Sequence, residues 1–114
     1  MAKCLCIRGK KETWKLNISD IVFVRQEGKE IQIFTEKNTI RKTGSIAELK
    51  EKLDDRFFTC HKYCLVNFDK VFGMRDSEII FETGQSVTMG VNSYRNARKA
   101  FHMYMENGGG RRKT

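Results

Sequence analysis

The stretch FFTCHKYCLVNFDK, residues 57–70, sets two cysteines and a histidine within five positions. Cys60, His61 and Cys64 look like ligands at first sight. Zinc sites pair Cys or His two to four residues apart on tight turns that let the side chains converge. The flanks argue against such a turn. FFTCH (57–61) and CLVNF (64–68) are short, aromatic and β-branched, and no glycine interrupts them. They read as two strands, with Lys62 and Tyr63 in the break between them. Cys60 and Cys64 then become packing residues. His61 becomes a hydrogen-bonded structural residue on a buried flank, and Asn67 a turn or pairing residue.

The same pattern runs outward in both directions. CLCIR (4–8), TWKLN (13–17), DIVFVRQ (20–26), EIQIFTE (30–36) and NTIRKT (38–43) precede it. KVFGMR (70–75), EIIFET (78–83) and SVTMG (86–90) follow it. GKK (9–11), EGK (27–29), KN (37–38), RDS (75–77) and TGQ (83–85) supply turn chemistry between them. Many short strands on short turns imply antiparallel meanders. The chain has no proline, so any strand can be central. In CLCIR the period-2 geometry puts Cys4 and Cys6 on one face, where they are expected as core residues like Cys60 and Cys64.

Two segments break the alternation. SIAELKEKL (45–53) opens on Ser45 with Glu48 three residues later, a capping box, and Ile46, Leu49 and Leu53 form its apolar stripe. NSYRNARKAFHMYMEN (92–107) is a second helix with Asn92 as the expected N-cap. Tyr94, Ala97, Phe101 and Tyr104 fall on one of its faces. Residues 1–107 form one domain on this reading, and 108–114 (GGGRRKT) a disordered basic tail.

At 114 residues, 39 % hydrophobic and 32 % charged, the chain suits one globular domain. No apolar run approaches the roughly 20 residues that cross a bilayer. The first residues, MAKCLCIRGKK, lack the apolar stretch of a signal peptide. The expected location is the cytoplasm, where four cysteines stay free thiols. The net charge is +8. Arg95, Arg98, Lys99, Arg111, Arg112 and Lys113 face only Glu106 after residue 91. Such a balance suits a polyanionic partner, because each cation on a phosphate releases a counterion, or else simply a basic soluble protein.

No carboxylate pair, glycine-rich phosphate loop or G-x-S-x-G occurs, and strand geometry sends His61 away from its neighbouring cysteine. The chain is therefore expected not to be an enzyme and to carry no metal or cofactor. A small zinc-binding or redox protein is the weakest alternative. What remains is a β-domain with basic turns. Lys29 sits in EGKE, Lys62 and Tyr63 in the break at 62–63, and Asn92, Ser93 and Arg95 open the last helix. Helix amides bind phosphate, Lys and Arg reach guanine, and Asn pairs with adenine. Taken singly, each of these residues is equally a solvated surface side chain. A module for single-stranded nucleic acid would instead need exposed aromatics, for which Tyr63, Trp14 and Phe68 are the candidates.

The block LDDRFFTCHKYCLVNFDKV (53–71) resembles the F-x-x-x-H-x-S-x-(L/V)-V-N pattern of the bacterial LytTR DNA-binding domains. The acidic-Ile strand, hairpin and short helix over 18–53 follow that family's order, and 72–101 is similar to its last hairpins and C-terminal helix. The likeness spans roughly residues 4–104 and rests on the ordered set of motifs. It implies a mostly β fold, an elongated stack of small antiparallel sheets with two short helices. It implies sequence-specific binding of double-stranded DNA by loops entering successive major grooves, as in two-component response regulators. By position, Lys29, Lys62 and Asn92 would read bases, with Tyr63 and Ser93 beside them and Arg95 on phosphate.

Two departures bear on specificity. Gly90-Val91-Asn92 stands where the family usually has Ser-Arg or a nearby Arg, so Asn92 would favour adenine unless Arg95 reaches in. Tyr63 replaces a small Ser. Members usually bind paired repeat sites in promoters, which implies a homodimer on DNA, and most carry a phosphorylatable receiver answering to a sensor kinase. With Met1 almost at the first strand, the expectation is a stand-alone regulator or a piece of a longer one, and the native-looking tail favours the former.

Overall fold

A computed structural model describes residues 4–108. Ten strands and two helices follow the order read from the sequence. The strands are β1 (Cys4–Arg8), β2 (Thr13–Asn17), β3 (Ile21–Glu27), β4 (Glu30–Thr35) and β5 (Thr39–Thr43). After helix α1 (Ile46–Lys50) come β6 (Phe57–His61), β7 (Cys64–Asn67), β8 (Val71–Arg75), β9 (Glu78–Phe81) and β10 (Ser86–Thr88), then helix α2 (Val91–Glu106). The tail beyond Gly108 lies outside the described residues.

All strand pairs are antiparallel, and they form three sheets. The central sheet has the order β5-β4-β3-β7-β6, flanked by the β1-β2 hairpin and a β10-β9-β8 sheet. Two apolar clusters lie on its two faces. Val24, Ile31, Ile33 and Leu65 face Leu5, Ile7 and Leu16 of the hairpin and Ile46 and Leu49 of α1. Phe23, Cys64 and Val66 face Ile79, Phe81 and Val87 of the small sheet and Ala97 and Tyr104 of α2. A bulge between Ile21 and Phe23 interrupts the alternation. It lets Val22 and Phe23 enter the same cluster although they are neighbours in sequence.

One connection is used twice. Asn17 ends β2 and its Oδ1 accepts from the Ser19 N–H, which starts a one-turn 3-10 helix at 18–20. Asn67 ends β7 and its Oδ1 accepts from the Asp69 N–H, starting an equivalent turn at 68–70. Asn67 is fully buried, and its Nδ2 also donates to Ile21 O at 2.8 Å. The same side chain thus caps a turn and ties the start of β3 to β7.

Three expectations need correction. Cys4 and Cys6 are exposed, because Leu5 and Ile7 take the core-facing phase of β1. Period-2 geometry sets both thiols on one face but does not say which face is covered. The first helix is shorter than read, ending at Lys50 with Leu53 still packed against the core. The second begins at Val91 with Gly90, not Asn92, as N-cap, and no side chain caps it. Gly90 is extended, and its carbonyl accepts from the Tyr94 N–H, so helical hydrogen bonding starts ahead of Asn92.

Candidate nucleic-acid interface

Antiparallel pairing brings the β3-β4 and β6-β7 turns to one end of the central sheet. β3 and β7 pair through Arg25 and Cys64, and the Gln26 N–H donates to Tyr63 O at 2.9 Å. The first turn holds exposed Gly28 and Lys29, with Gly28 at φ +64. That left-handed value suits glycine, and it lets two residues close the hairpin between Glu27 and Glu30. The second turn holds Lys62 and Tyr63 between the paired His61 and Cys64.

Tyr63 is 49 % exposed. Its N–H donates to His61 Nδ1 at 3.2 Å, and Lys62 Nζ lies 5.0 Å from its ring centroid. The turn therefore carries an outward aromatic with a cation over its face. His61 is hydrogen-bonded as expected, but it is exposed and not part of a buried flank. Cys60 and Cys64 point the other way, into the cluster under α2. The Cys60 thiol donates to Cys64, which keeps Cys60 protonated well above the usual thiol range and lowers Cys64, with help from the nearby Arg25 charge. The three ligand-like residues of the opening stretch do not converge. Among the described residues no group of three His, Cys, Asp or Glu is arranged around a metal.

Asn92, Ser93 and Arg95 form a separate group on the first turns of α2. Asn92 and Arg95 are exposed and Ser93 half-buried. Without a side-chain cap, the first amides of the helix have no side-chain acceptor. The C-terminal half of α2 is anchored at the far end of β6 and β7. Phe101 and Tyr104 pack on Phe68, and Tyr104 Oη donates to Asp69 Oδ1 at 2.6 Å.

Two residues at this end carry no sequence signal of a role. Arg25 sits beside the turns with its guanidinium 5.8 Å from each of the Phe23 and Phe34 ring centroids. Gln26 reads as an ordinary strand residue, yet its side chain is a hub. Nε2 donates to Gly28 O (3.1 Å) and Gly44 O (2.8 Å), and Oε1 accepts from the Ile46 N–H (2.9 Å). Among the described residues no ion pair engages Arg25, Lys29 or Lys62. Their charge is open to an outside anion.

Trp14, a candidate for stacking single-stranded bases, lies on the β1-β2 hairpin, and Phe68 is buried. Only Tyr63 of the three aromatics belongs to the basic end. No helix among the described residues is long and apolar enough to cross a membrane.

The sequence profile of the LytTR DNA-binding domain matches residues 11–102. Among solved structures, the chain is similar to the LytTr DNA-binding domain of a protein described as a methyl-accepting/DNA response regulator from Bacillus cereus. That likeness has a TM-score of 0.71 at 17 % sequence identity and covers 85 % of this chain and 94 % of that one, so it speaks to the fold. No curated protein matches the chain. Since the profile takes in both basic turns, every strand but β1 and most of α2, the chain belongs to the LytTR family of DNA-binding domains.

Proposed function

We propose that the chain binds double-stranded DNA sequence-specifically, as a transcriptional regulator, through three loops that enter successive major grooves. Lys29, Lys62 and Asn92 read base edges. Tyr63 and Ser93 support them, and Arg95 meets phosphate. The observation that carries this reading is the Gln26–Tyr63 backbone hydrogen bond, which joins two unpaired basic turns at one sheet end. A major groove about 12 Å wide admits such paired protrusions, and lysine donors match guanine O6 and N7. The uncapped start of α2 offers amides to a phosphate, with Arg95 one turn on. Binding of two copies to paired repeats belongs to the same reading.

Selection from a random duplex pool at near-physiological salt tests it. Enrichment of a defined sequence is expected, and a flat pool would refute specific reading. Better recovery of single-stranded competitor would favour a single-strand module instead. Lys62→Ala is expected to cost about 1–3 kcal/mol on the selected duplex and to relax the preference at one base pair. A uniform loss on all sequences, with the salt slope flattened by about one, would make Lys62 a phosphate contact.

A further inference from the structure

We propose that Gln26 is a positioning residue for DNA reading, holding the Lys29 turn in register with the Lys62–Tyr63 turn. The inference rests on the reading of DNA by those turns, and it assigns a role to a residue whose side-chain amide is bonded within the protein. The backbone N–H of Gln26 is committed to Tyr63 O at 2.9 Å, so the residue is rooted beside the second turn. Its side chain reaches the first. One amide hydrogen goes to Gly28 O within the turn, the other to Gly44 O at the β5-α1 junction. Its oxygen takes the Ile46 N–H. Gly44 closes the circuit, since its own N–H donates to Lys29 O at 2.9 Å. The carbonyls of both turn residues, Gly28 and Lys29, are therefore held by one side chain and by the segment that side chain fastens.

The chemistry of the position is narrow. It needs two donors and one acceptor on a planar group three bonds from Cα, which is the glutamine amide. Glutamate keeps the acceptor for Ile46 but sets a negative charge against two carbonyl oxygens. Methionine keeps the length and loses every bond. Without the clamp, a two-residue turn built on glycine swings as a unit, and base reading requires placement within about 0.5 Å. Ladder pairing flanks both turns, at Glu27–Glu30 and at His61–Cys64, and the Gln26 side chain adds its clamp to the first.

The test is a double-mutant cycle on the folded chain, using the duplex selected above and a scrambled duplex of equal length. Gln26→Met is expected to weaken the selected duplex about tenfold and leave the scrambled one within about twofold. In a Lys29→Ala background the same change is expected to cost less than about twofold, because the group it positions is gone. Equal losses on both duplexes, or full additivity with Lys29→Ala, would overturn the proposal. Amide exchange provides a readout that needs no DNA. Ile46 and Gly44 are expected to exchange faster in Gln26→Met while the β3-β7 ladder stays protected, and unchanged exchange at both amides would refute the clamp itself. If the wild-type chain shows no sequence preference, the DNA-reading proposal fails at that step, and the exchange result still decides whether Gln26 holds the turn.

Discussion

At the scale of single residues, the polar side chains that matter are those whose hydrogen bonds leave no atom idle. Asn67 is buried and serves two backbone groups on different elements, Asp69 N–H in the 68–70 turn and Ile21 O on β3. Asn67→Ala strands both and is expected to cost about 2–4 kcal/mol, since a buried unsatisfied group costs about 1–3 kcal/mol. Urea unfolding checks the value, and a loss under half a kcal/mol would mean that water replaces the amide. Asn17 makes the same cap half-exposed, so a smaller loss of about 1 kcal/mol is expected for Asn17→Ala. The sequence makes this contrast partly visible. Both asparagines end a strand before a short polar turn, but burial depends on what covers them.

At the scale of elements, the turns and caps explain why so many short strands keep their register. The capping box read in S-I-A-E is formed, with Ser45 Oγ accepting from Glu48 N–H and Glu48 Oε1 accepting from Ser45 N–H. The β8-β9 turn is less settled. Asp76 and Ser77 both take positive φ, at 53° and 65°. A serine pays for that conformation, whereas Asp-Gly is the favoured pair for a two-residue turn of this kind. Ser77→Gly is therefore expected to stabilise the chain by up to about 1 kcal/mol, seen as a higher midpoint in thermal unfolding. A drop would mean that the Ser77 side chain contributes a contact that outweighs the strain. At the other end of α2, Tyr104→Phe removes the hydrogen bond to Asp69 but keeps the ring on Phe68. A loss of about 1–2 kcal/mol is expected, and it should appear as faster amide exchange in the last turns of the helix before the β-sheets respond.

At the scale of the whole molecule, one sheet serves two cores. Every strand of the central sheet except its edges is covered on both faces, which couples the β1-β2 hairpin and α1 to the small sheet and α2. The burial of the four thiols reports that arrangement directly. Cys4 and Cys6 lie on the outer face, Cys60 and Cys64 inside. Brief alkylation of the native chain is expected to add two adducts, and four in denaturant, by intact mass. Rapid native labelling of all four would contradict the packing of α2 over β6.

The opening stretch shows where sequence reading succeeds and where it stops. Ten strands and two helices were legible because alternation, turn residues and the capping box are local properties, carried within a few positions. The LytTR pattern was legible for the same reason, as an ordered series of such local motifs. The phase of β1 was not, since Cys4-Leu5-Cys6-Ile7 offers an apolar residue at every position and only the packing partner selects a face. Nor was the start of α2, where Gly90 caps through its backbone and leaves no side-chain signature. The convergence of Lys29 with Lys62 and Tyr63 was decided by tertiary structure alone. It depends on hydrogen bonds such as Gln26 to Gly44 and Gln26 to Tyr63, between residues far apart in the chain, whose pairing exists only once the central sheet has assembled.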